Sequence, residues 1–132
     1  MEGITTVRSA FGPAETMARL DTEIKAAGLT VFARINHAAL ADEAGLQLRP
    51  TEVILFGNPR GGTPLMQAAQ TIGIDLPLKA LVWQDGAGKC WLSYNEPDWL
   101  VQRHGITGAD RVTAAMGASL RAIALNATSQ KP

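Results

Sequence analysis

Two stretches of the chain place reactive residue types at suggestive spacings. In Gly57-Asn58-Pro59-Arg60-Gly61-Gly62-Thr63, two glycines are separated by four residues and a hydroxyl follows the second. A phosphate-binding loop needs glycines for close backbone approach, a lysine for the phosphate charge and a hydroxyl for magnesium. No lysine follows Gly62, and Pro59 removes a backbone donor, so nucleotide hydrolysis is disfavoured. The remaining functional reading is an anion loop of Arg60, Gly61, Gly62 and Thr63 at a helix N-terminus, where free N–H groups and the dipole attract negative charge. The plainer alternative is a turn followed by Thr63 as N-cap, with Pro64 as the first helical residue. On that placement Thr63→Ala is expected to cost about 1 kcal/mol.

The second stretch is a hairpin, Leu78–Gln84 and Lys89–Asn95, around Asp85-Gly86-Ala87-Gly88. A turn symmetric about Gly86-Ala87 pairs Trp83 with Cys90, Leu81 with Leu92 and Lys79 with Tyr94, and period-two alternation puts all six on one face. Lys79 beside Tyr94 would then be a polar pair at an apolar edge, able to bind an anion or to act as a base if burial lowered the lysine pKa. The alternative is a lysine whose stem packs on the ring while its ammonium reaches water. His37, after Ile35 on a strand, is an acid–base or ligand candidate, or else a histidine bonded to backbone. If its strand is adjacent, His37 joins Lys79, Tyr94 and Asn58 in one candidate site.

Other reactive types have bland explanations. Cys90 is read as structural, His104 as a helix-end cation, and Asp42, Glu43, Glu96 and Asp98 as helix-start or loop carboxylates. Two histidines without ligand spacing make no metal site, and no cofactor is implied. Trp83, Trp91 and Trp99 are expected in the core or in a dimer contact.

These residues must be positioned by a small number of elements. The expected order is a strand at Ile4–Ser9, a helix from Pro13 to about Ala27, a strand at Thr30–Asn36 and a short helix at Ala38–Ala44. A strand at Thr51–Phe56, the helix from Thr63 to Gly73 and the hairpin come next, then helices at Pro97–Arg103 and Ala109–Leu125. A polar tail from Asn126 is expected to fray. A hairpin mixed with helical crossovers argues for an α+β fold, a single mostly antiparallel sheet with helices packed on one face.

Bulk properties narrow the function classes. The 132 residues suit one domain, and 46% hydrophobic against 18% charged residues argues against disorder. Twelve basic residues balance twelve acidic ones, so neither nucleic acid nor an anionic membrane surface is an expected partner. The amino terminus has no signal-peptide pattern, no stretch is long and apolar enough for a span, and one cysteine allows no internal disulfide. The expected location is cytoplasmic.

Several segments resemble a known family. Leu55-Phe56-Gly57-Asn58-Pro59 with Gly62-Thr63-Pro64-Leu65-Met66, Leu76–Trp83, Trp91–Asn95, Val31–His37 and Arg103-His104-Gly105 are similar to the domain-of-unknown-function family number 302. The resemblance runs from about Phe11 to Gly105. It implies a TATA-box-binding-protein-like α+β fold and a homodimer, and no established activity. Members also occur in tandem or fused to other domains. The functional expectation is therefore a homodimeric domain binding a small anion through His37, Asn58, Lys79 and Tyr94. The alternatives are an enzyme using His37 or Lys79 as an acid–base group on a small anionic substrate, and a protein–protein interaction module.

Overall fold

A computed structural model describes residues 1–130. Five strands, β1 (Ile4–Arg8), β2 (Thr30–Asn36), β3 (Thr51–Gly57), β4 (Leu78–Gln84) and β5 (Cys90–Asn95), form one sheet in the order β1-β5-β4-β3-β2 with every neighbour antiparallel. The helices are α1 (Pro13–Ala26), α2 (His37–Glu43), α3 (Pro59–Ala68), α4 (Pro97–Arg103) and α5 (Asp110–Thr128), with a 3₁₀ turn at Gln70–Ile74. The α+β expectation is met.

One face of the sheet makes the core. Ile54, Phe56, Leu78, Ala80, Val82, Cys90, Leu92 and Tyr94 pack against Met17, Leu20 and Ile24 of α1 and Leu120, Ile123, Ala124 and Ala127 of α5. The three-and-four spacing on α1 makes this possible, because it aligns those side chains along one stripe. A second cluster, Leu65, Ile72, Leu100 and Val101, joins α3, the 3₁₀ turn and α4.

Three sequence expectations are corrected. The helix expected to begin at Pro64 behind Thr63 starts five residues earlier, at Pro59, with the Asn58 side chain accepting a hydrogen bond from the Arg60 N–H at 3.0 Å. Asn-Pro and Thr-Pro offer the same start signal within five positions, and the first one prevails, leaving Pro64 inside the helix. The hairpin is displaced by one residue: Trp83 faces Trp91, Ala80 faces Tyr94 and Gln84 faces Cys90. Asp85 causes this. Its Oδ1 accepts from the N–H groups of Ala87 and Lys89, both at 2.9 Å, and Gly88 adopts a positive φ of 83°, so the loop has three residues rather than two. The carboxy-terminal helix continues through Thr128, two residues beyond Asn126, while 131–132 of the expected tail lie outside the described residues. Ala127 and Thr128 are buried, and the Thr128 carbonyl accepts from Ala10 N–H at 2.8 Å.

Candidate functional site

The one-residue displacement separates the expected site. Lys79 pairs with Leu55 and points to the sheet face without core helices, where its ammonium bonds the Pro77 carbonyl at 3.2 Å. Tyr94 lies on the other face, buried in the core. Burial pushes its phenol above the ordinary range, and the nearby Glu96 charge adds to this. His37 does not end a strand but opens α2, exposed, after its N-cap Asn36. It stands beside the end of the sheet where Asn36 pairs with Glu52, whereas Lys79 lies at the opposite end of β4. Asn58 is an exposed helix cap just past the end of β3, at the sheet end where β4 begins and Lys79 lies. The four residues do not converge.

The anion loop fails for a related reason. Arg60, Gly61, Gly62 and Thr63 belong to α3 itself. The Arg60 N–H is bonded to the Asn58 side chain, and the Gly61 and Gly62 N–H groups are bonded to the Asn58 carbonyl at 2.9 and 3.0 Å. Donors that an anion would need are already engaged within the chain.

Two other arrangements are present. The first is a cavity of about 430 Å³ at the end of the sheet where β3 stops and β4 begins. Phe56, Leu78, Met66, Leu76, Met116 and Leu120 form its apolar body, and Gly57, Asn58, Thr63 and Ser119 also line it. Leu76 and Met116 touch both hydrophobic clusters, so the cavity lies on the seam between them. No charged side chain lines it. The Phe-Gly-Asn-Pro element marked this location, but volume is a property of packing that periodicity does not report.

The second is a polar clasp around Asp75. Arg103 donates to both carboxylate oxygens at 3.0 Å, and His104 Nε2 lies 2.5 Å from Oδ2 while its Nδ1 lies 2.9 Å from the Thr71 hydroxyl. The carboxylate can only accept, so Nε2 is the donor toward it. Hydroxyl, imidazole and carboxylate thus stand in line, but Thr71 is exposed and does not line the cavity at the β3–β4 end of the sheet. The clasp ties the 3₁₀ turn to α4. Sequence reading missed it because Asp75 and His104 are 29 residues apart. Among the described residues no group of three histidine, cysteine, aspartate or glutamate side chains is placed to hold a metal ion. Cys90 is buried, its Sγ 3.6 Å from Thr16 Oγ1.

On the face away from the core, Ile35, Val53, Leu55, Leu81, Trp83 and Trp91 lie uncovered or half-covered. The two indoles stack with centroids 6.2 Å apart, and the Arg8 guanidinium sits 5.8 Å above Trp91. Trp83 Nε1 donates to Ser93 and Trp91 Nε1 to Asp85, both at 2.9 Å.

An antiparallel five-stranded sheet with its core helices on one face defines the class as α+β. Residues 5–123 match the family described as "Domain of unknown function DUF302", and the chain belongs to that family. A crystal structure of an uncharacterized conserved protein DUF302 from Bacillus stearothermophilus superposes with a TM-score of 0.86, covering 96% of this chain and 99% of that one, at 23% identity. That likeness concerns the fold. Curated relatives are nearer in sequence: "Fluoride-specific ion channel FluC 1" of Brucella suis and of Brucella abortus are each 54% identical over 104 residues, or 79% of this chain. The chain spans about two fifths of the length of these relatives, 41% and 38%.

These relatives correct two expectations. Relatives named as ion channels overturn the expected anion-binding domain and its alternatives, an enzyme using His37 or Lys79 and a pure interaction module. The cytoplasmic placement is overturned by the same finding, since an ion channel works in a membrane. No described helix, however, is long and apolar enough to cross one.

Proposed function

We propose that this chain is the part of a fluoride-specific channel system that stands beside the pore. The observation that carries this is 54% identity to proteins of that name, confined to about two fifths of their length and to a fold whose described helices cannot span a bilayer. A conducting path through hydrocarbon needs spanning helices or a closed barrel, so in this reading the path belongs to the unmatched part of those relatives. Reconstitution tests it. Liposomes carrying this chain alone should release no fluoride. The Brucella suis relative stripped of its matched segment should still release fluoride, and this purified chain should bind it and change its rate. Fluoride release by the chain alone would overturn the reading, as would neither binding nor a change in rate.

The chain's own partner is a second reading, favoured by the uncovered face. We infer that two copies pair through Val53, Leu55, Leu81, Trp83 and Trp91. Contiguous apolar surface of this kind is rare on a protein without a partner. A monomeric mass by light scattering would remove this reading and leave the channel assignment untouched.

A further inference from the structure

We propose that the cavity between β3, β4, α3 and α5 is a binding site for an uncharged, mainly hydrocarbon molecule. Its volume of about 430 Å³ falls within the range of natural ligand sites, roughly 300–1,000 Å³. An aliphatic cavity of about 150 Å³ already takes up benzene, so this one has room for a ligand of two fused rings or an equivalent chain. The lining decides the chemistry. Phe32, Phe56, Met66, Leu76, Met116 and Leu120 offer apolar and polarisable surface, and no charged group is present to neutralise a ligand charge.

Local sequence keeps the space open. A Cβ on Gly62 would lie 3.5 Å from Leu76 Cδ1 and 3.9 Å from Met66 Cε, and one on Gly57 would lie 3.9 Å from Phe32. These are contacts of ordinary length, so a Cβ is accommodated at either wall position and only a longer side chain would take up the space. Polar atoms are restricted to groups such as Asn58, Thr63 and Ser119, which suits a ligand with at most a hydroxyl or carbonyl at one end. The Arg60, Gly61 and Gly62 N–H groups that an anion would require already donate to Asn58, so the ligand is of the opposite kind from that expected for this loop.

The neutral dye N-phenyl-1-naphthylamine is a suitable probe. Titrated onto the whole chain, it should show saturable, blue-shifted emission with one dye per chain. Ser119→Phe, which fills the cavity from α5, should weaken binding by at least about tenfold without lowering the unfolding temperature. Ala115→Phe, at an exposed lining position on the same helix, is the second variant should the first not fold. A measurement on the unaltered chain needs no variant: with labelled methionine methyl groups, Met66 and Met116 resonances should shift while Met1 and Met17 stay fixed. Absence of saturable binding, full binding in the folded variant, or shifts that spare Met66 and Met116 would each overturn the proposal. So would loss of binding in Trp83→Gln, which would place the dye on the open sheet face.

Discussion

At the scale of single residues, Asn58 and Tyr94, two of the positions that sequence singled out for function, turn out to hold the fold. Asn58 caps α3 through its side chain, so Asn58→Ala should cost about 1 kcal/mol in urea denaturation. Thr63, inside that helix, should change stability by less than about 0.5 kcal/mol when replaced by alanine. Equal losses would mean that both start signals are used. Tyr94 is a buried phenol whose titration is raised by burial and by Glu96. The unfolded chain then releases the phenolic proton at lower pH than the native one, so between the ordinary value and the raised one the native state binds more protons. Stability should therefore fall as pH rises above about 10, the ordinary tyrosine value. Tyr94→Phe should flatten that alkaline decline in pH-jump or equilibrium unfolding, and an unchanged decline would assign it to other groups.

Elements show where sequence reading succeeds and where it fails. Strand and helix existence followed from a continuous apolar run, as in Val53 to Phe56, and from three-and-four spacing, as in Met17, Leu20 and Ile24, because both patterns are local. Register was not legible. Asp85-Gly86-Ala87-Gly88 is compatible with a two- or a three-residue loop, and the choice rests on Asp85 reaching both Ala87 and Lys89. One residue of difference turns every β5 side chain to the other face, so the expected pairing of Lys79 with Tyr94 depended on one carboxylate. Trp91 and Lys89 also donate to that carboxylate, and these bonds hold Asp85 below the usual carboxylate range. A depressed native value means that the stabilisation is present above the ordinary value and is lost as pH falls through the native one. Asp85→Asn should consequently reduce the acid sensitivity of unfolding below about pH 4. The Asp75 clasp was illegible for a different reason, since it joins the 3₁₀ turn to α4 through contacts remote in sequence. Asp75→Ala, which leaves Arg103 and the largely buried His104 without their acceptor, should destabilise by about 2 kcal/mol in chemical denaturation.

At the scale of the whole molecule, the sheet has one face closed by α1 and α5 and the other left open. Across the open face run three rows, Ile35-Val53-Leu81-Ser93-Thr6, Thr51-Trp83-Trp91-Arg8 and Ala33-Leu55-Lys79. The first two are apolar at the centre and polar toward β1, and the third carries Lys79 at one end of the face. That arrangement, an apolar centre with a polar edge, is the anatomy of an association surface. A stable contact needs about 800 Å² from each partner. This is near one tenth of the 7807 Å² that the chain exposes, an area one sheet face can supply. Leu81 lies in the central strand of the open face, so Leu81→Glu would place a charge in the middle of a paired interface. Light scattering at micromolar concentration should report a dimer for the native chain and a monomer for Leu81→Glu. The variant's unfolding should lose its dependence on protein concentration, because dissociation would no longer accompany it. A native chain that is already monomeric, yet loses binding to the channel remainder on Leu81→Glu, would assign the face to the pore-forming part instead. Retention of both assemblies by Leu81→Glu would show that the open face is not a contact at all.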